Sequence, residues 1–151
     1  MHFAATDGVL SCSAEPGLCV IRYRGPGTEA HALAMHPVWD APVLGPRFVQ
    51  LLVISPRNAR DVPDAAFRAE VVRMMKAKGP TLVASVAVVA TDVLLASVVR
   101  GVITGINWWT GDRFRLFDSL DAGIAFRAAA ARDADIDVDA AQMRAALHAL
   151  G

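Results

Sequence analysis

Two nearly unbroken apolar runs, Phe48–Ile54 and Thr81–Val89, bracket a segment with helical spacing. A strand with one wet face alternates apolar and polar residues. A run of strand length that does not alternate is buried on both faces, which is the habit of parallel sheets. Parallel neighbours cannot be joined by a tight turn and need a crossover, usually a helix. The intervening segment supplies one. Phe67, Val71, Met74 and Met75 recur at the helical period, while Arg68, Glu70, Arg73 and Lys76 fall mostly on the other side. Asp61 or Asp64 can cap this helix at its start, and Gly79-Pro80 ends it. A βαβ unit therefore sits at the centre of the chain.

The remaining elements are placed around it. Val9–Ser13 and Leu18–Arg24 read as an antiparallel hairpin about Glu15-Pro16-Gly17, with residues 2–6 as a further short strand. Thr28 caps a short helix that stops before Pro37. Residues 36–47 carry Pro37, Pro42, Gly45 and Pro46 and form a rigid connection. After the second apolar run, Thr91 caps a helix reaching about Asn107. Arg113–Phe117 is a short strand, and Asp118 or Ser119 caps a helix with Leu120, Ile124 and Phe126 inward. An acidic stretch, Asp133 to Asp139, caps a last amphipathic helix carrying Met143, Leu147 and Leu150. The expected fold is α/β, with a mixed sheet of four to five strands. The antiparallel hairpin comes first and a βαβαβα parallel part follows, with helices mainly on one side. Residues 1–132 form the domain, and 133–151 an acidic linker and extra C-terminal helix.

Composition narrows the function. The 151 residues carry 15 Lys and Arg against 15 Asp and Glu, so no net field draws the chain to nucleic acid. The N-terminus lacks the basic and long apolar parts of a secretory signal. The stretch from Leu82 to Trp109 is the one place for a membrane span, but Asp92 and Arg100 interrupt it, so stable insertion is not expected. Cys12 and Cys19 flank the hairpin turn. With Ser13 facing Cys19, the sulfurs point to opposite faces and a disulfide has the wrong geometry, which suits a reducing cytoplasm.

From Phe48 onward the chain resembles the STAS domain of anti-sigma-factor antagonists, and the wider SpoIIAA-like (STAS/SEC14-type) group of small bacterial proteins. The carrying residues are the strand Phe48–Ile54 with the loop Ser55–Pro63, the strand Leu82–Val89 with Thr91-Asp92, and the segment Arg113–Phe126 with its Phe117-Asp118-Ser119-Leu120 turn. The likeness spans about Val9 to Arg132. It implies a domain that works by docking a regulatory protein. STAS antagonists carry a phosphorylatable serine at the start of the helix after the central strand. Here Ser55 is the only hydroxyl between Ile54 and Asp64, it sits at the strand end, and Asp61 and Asp64 would repel a phosphate. No phosphorylation switch is expected.

The chemistry-bearing motifs of enzymes are missing: no phosphate loop, no nucleophile elbow, and no metal-ligand spacing. The four histidines read as surface imidazoles. Arg22 and Arg24 share a strand face, either as solvated side chains or as a small anion patch. No catalytic residue, metal or cofactor is assigned, and the chain is not expected to be an enzyme. The most unusual segment is the helix from Asp92. Ser97, Gly101 and Gly105 recur every fourth residue, beside a polar strip of Ser97, Arg100, Thr104 and Asn107. Two glycines in a helix interior cost about 1 kcal/mol each, which close backbone approach can offset. That approach is either to the chain's own sheet or to a partner helix. We read Ser97, Arg100, Gly101, Thr104, Gly105, Trp108 and Trp109 as a self-association surface, a dimer being favoured. The alternative is a small-molecule or lipid carrier binding at the carboxyl ends of the parallel strands, through Arg57, Asn58, Arg60, Thr91 and Asp92.

Overall fold

The computed structural model describes residues 2–4, 7–55, 61, 63–89, 101 and 114–151. Its described elements are β1 (His2–Ala4), β2 (Leu10–Glu15), β3 (Leu18–Tyr23), α1 (Glu29–Ala34), α2 (His36–Trp39), β4 (Phe48–Ile54), α3 (Ala65–Lys78), β5 (Leu82–Val89), β6 (Phe114–Phe117), α4 (Leu120–Asp133) and α5 (Ala140–Ala149). Short 3-10 turns at Pro42–Leu44 and Gly79–Thr81 complete the connections.

The six strands lie side by side in chain order. β1, β2 and β3 are antiparallel neighbours, and β3 through β6 are mutually parallel. The sheet has one strand more than the four to five expected, because His2–Ala4 does pair with β2. The two apolar runs hold their predicted places as β4 and β5, with Leu51 beside Val86 and Ile54 beside Val89.

Because both faces of these strands are apolar, both need a cover. The expectation of helices mainly on one side is corrected accordingly. Phe48 and Ile54 of β4 join Ala87 and Val89 of β5 in a first core beneath α1, α2 and α3. Val49, Leu51, Val53, Val86 and Val88 point the other way, into a second core closed by Ile124 and Ala131 of α4 and Met143, Ala146 and Leu147 of α5. Each fully buried aliphatic or aromatic side chain contributes roughly 1.5–3 kcal/mol. α5 thus shares a core with the sheet, and Ile136 and Val138 of the acidic stretch pack against that same core.

Local chemistry explains the boundaries. Asp64, not Asp61, caps α3, its Oδ1 accepting from the Phe67 N–H at 2.7 Å. Ser119 caps α4 and Asp139 caps α5, the latter in a reciprocal box with Gln142. Pro37 does not simply stop a helix; it sits in the first turn of α2, where its missing N–H is not needed. The hairpin turn contains only Pro16 and Gly17, with Gly17 at φ 72°. A Cβ there would also come within 2.6 Å of Ile136 Cγ2, so glycine is required twice over.

That two-residue turn shifts the register by one from the reading above. Cys12 faces Ile21 and Ala14 faces Cys19, so both cysteines point into the first core. They are free thiols. On α4, Phe126 turns out to solvent at 40% exposure, its ring tilted 45° against that of Phe117, while Arg127 takes the inward place. Among the described residues no helix is long and apolar enough to cross a membrane.

Candidate functional site

Of the residues assigned to a self-association surface, Gly101 is described; Ser97, Arg100, Thr104, Gly105, Trp108 and Trp109 lie outside the described residues. The same holds for Arg57, Asn58, Arg60, Thr91 and Asp92 of the expected ligand loops. Gly101 is helical and exposed, and a Cβ built on it would meet nothing within 4 Å among the described residues. Its backbone is therefore not pressed onto this chain's own sheet. The helical glycine that is so pressed is Gly123 on α4, whose Cβ would stand 2.5 Å from Val88 Cγ2.

Two histidines are held by carboxylates and are not free surface imidazoles. His31 Nδ1 accepts from the Thr28 N–H at 3.1 Å, which leaves the proton on Nε2 to donate to Asp7 Oδ2 at 2.8 Å. This pair ties the turn after β1 to α1. The Val9 N–H and His31 together hold the Asp7 carboxyl below its usual range. His36, on α2, meets Glu70 Oε1 of α3 at 2.7 Å. Arg73 grips the same carboxylate from one turn further on, Nε donating to Oε2 at 2.9 Å and Nη2 to Oε1. Glu70 has both oxygens engaged and a side chain only 10% exposed, so it is a clamp between α2 and α3 and not a poised base.

Bonding to Arg73, then to His36, lowers the Glu70 carboxyl from 4.5 to about 2. The sign follows: the unfolded chain takes up this proton first, so the clamp is complete above pH 4.5 and is lost as pH falls from there toward 2. Glu70→Gln is expected to cost about 1 kcal/mol at pH 7, after allowance for solvent screening. The difference from the parent should vanish in urea melts near pH 2.

The third constellation lies on the second face of the sheet, at the β1–β2–β3 end. Ser11 pairs directly with Arg22, and Ser13 with Val20 and His2. These side chains share the face that α5 covers. Ser11 is 5% exposed and Ser13 fully buried, and neither hydroxyl meets a partner among the described residues. Nor does the buried Nε of Arg22. Arg24, two residues on along the same face, reaches the end of α5 and donates to the Gly151 carbonyl. The pair Arg22 and Arg24 is therefore partly buried beside the last helix and does not stand in open solvent. A cleft of about 280 Å³ opens beside it, lined by His2, Phe3, Ser11, Ala149 and Leu150. The shared arginine face was legible in the sequence; the serines opposite were not, because they declare themselves only once the register is known.

A further buried charge escaped sequence reading. Arg127 is fully buried in the second core, and none of its three guanidinium nitrogens has a hydrogen-bond partner among the described residues. Burial pulls the group down to about 9, so it stays cationic at neutral pH.

No protein family and no curated protein matches the chain. Among solved structures, it is similar to the crystal structure of an uncharacterized protein of the DUF3478 family with a SpoIIAA-like fold, from Shewanella loihica PV-4. The TM-score is 0.54 at 12% identity, over 84% of this chain and 95% of the other. At that identity the likeness is one of fold. The chain has a SpoIIAA-like fold, as the residues of β4, β5 and the β6–α4 turn implied.

Proposed function

We propose that this SpoIIAA-like domain is a non-catalytic interaction module that pairs with a second copy through the helix face bearing Gly101 and docks a regulatory protein. The observation that carries the reading is the setting of Gly101. It is helical and exposed, and no described residue lies close to it, so no close approach to the described sheet offsets the roughly 1 kcal/mol that glycine costs there. A second helix laid against Gly101, which the sequence spaces four residues from Ser97 and from Gly105, supplies the missing reason. A net charge of zero removes any repulsion between copies. The free thiols fit a reducing compartment such as the cytoplasm.

Light scattering on the parent and on Gly101→Leu tests this. The parent is expected at twice the chain mass and the variant at one chain mass, with unchanged far-UV circular dichroism. Gly101→Ala should raise the stability of the separated chain by about 1 kcal/mol, since alanine is the better helix former. A folded Gly101→Leu with the parent's mass removes this helix as the contact.

A further inference from the structure

We propose that the cleft between the end of α5 and strands β1 and β2 binds a small carboxylic acid with an apolar body. Two of the five lining residues, Ala149 and Leu150, present carbon beside Ser11 and His2, while Phe3 contributes from the strand edge with its ring turned to the first core. Ser11 is more than nine-tenths buried and its hydroxyl meets no partner among the described residues. Arg22 stands opposite it on the same face, with its Nε buried and unmatched. Side chains directly opposite in an antiparallel pair have Cβ atoms roughly 4.5–5.5 Å apart, so Arg22, although outside the cleft's lining, stands within reach of a group seated on Ser11.

A hydroxyl and a guanidinium together offer donors and positive charge without an acceptor. Their complement is compact, anionic and able to accept several hydrogen bonds, as a carboxylate is. The carbonyl end of α5 carries the partial negative charge of a helix C-terminus, which would oppose an anion, but Arg24 already meets it at Gly151. The apolar walls ask for carbon behind the acid group. A volume of about 280 Å³ falls just below the range of ligand pockets, roughly 300–1,000 Å³, which restricts the body to a short chain or a single ring.

Octanoate is the probe, with octanol as its uncharged counterpart and inorganic phosphate as an anion lacking carbon. Calorimetric titration of the parent chain should show saturable octanoate binding, and amide resonances of Ser11 and Leu150 should shift with it. Octanol and phosphate should each bind at least about tenfold more weakly, and Arg22→Met should lose octanoate by a similar factor. The inference is overturned by absent shifts at Ser11 and Leu150, by octanol or phosphate binding as well as octanoate, or by a folded Arg22→Met that binds like the parent. The ligand comparison on the parent decides the matter even if Arg22→Met does not fold. None of these readouts depends on pairing between copies, so this site and the Gly101 contact stand or fall separately.

Discussion

Arg127→Met is expected to be more stable than the parent by about 2–4 kcal/mol, which for a chain of this length raises the melting temperature by roughly 5–15 °C. The reason lies in the inward stripe of α4, where Gly123, Ile124, Arg127 and Ala131 are buried together. A guanidinium placed there gives up its hydration, and its three nitrogens recover no hydrogen bond among the described residues. Methionine keeps the length of the side chain and fills the same space without the charge. Arg127→Ala should gain less, because the removed volume leaves a void. The pH dependence has a definite sign. Burial weakens the native chain's hold on this proton, to about 9, below that of the unfolded chain. The parent therefore gains stability as pH rises past 9, and the advantage of Arg127→Met narrows over that interval. Thermal melts at pH 7 and pH 10 measure both effects; a variant that melts below the parent at pH 7 would show that the guanidinium has found an acceptor.

Gly123→Val should have the opposite effect, a loss of about 3 kcal/mol. The first added carbon already stands 2.5 Å from Val88 Cγ2 and 3.3 Å from Val86 Cγ1. Both neighbours are β-branched side chains on β5, at the centre of the second core, and they have little freedom to turn away. α4 must then lift from the sheet, taking Ile124 out of close contact. Gly101→Ala provides the contrast, since glycine-to-larger substitutions in two helices of one chain should move stability in opposite directions. Equal urea midpoints for Gly123→Val and the parent would mean that α4 is not seated as described.

How much could be read in advance depended on whether the information was local. Both ends of β4 and the C-terminal end of α3 were legible to within a residue, because an unbroken apolar run and a Gly-Pro stop act on their own neighbourhoods. The hairpin register was misread because a two-residue turn and a three-residue turn have similar composition, yet they send alternate residues to opposite faces. Arg127 was misplaced for a related reason. Phe126 looked like the core residue by hydrophobicity, but helix phase puts Gly123, Ile124, Arg127 and Ala131 in one line, and Gly123 is the residue that permits the close approach. The cleft at Ser11 was invisible because it joins residues 2, 3 and 11 to residues 149 and 150, and nothing in the sequence links those segments.

The strand order has a consequence for how the protein is made. Each strand pairs with the one before it in the chain, so a nascent polypeptide leaving the ribosome always finds its docking edge already built. The sheet can lengthen sideways in the direction of synthesis, by tight turns from β1 to β3 and by longer crossovers from β3 onward. The second layer cannot form in that way, because α4 and α5 follow β6 in the chain and must settle over strands laid down before them. Until those two helices have emerged, Val49, Leu51, Val53, Val86 and Val88 lack the cover that Ile124, Ala131, Met143, Ala146 and Leu147 give them.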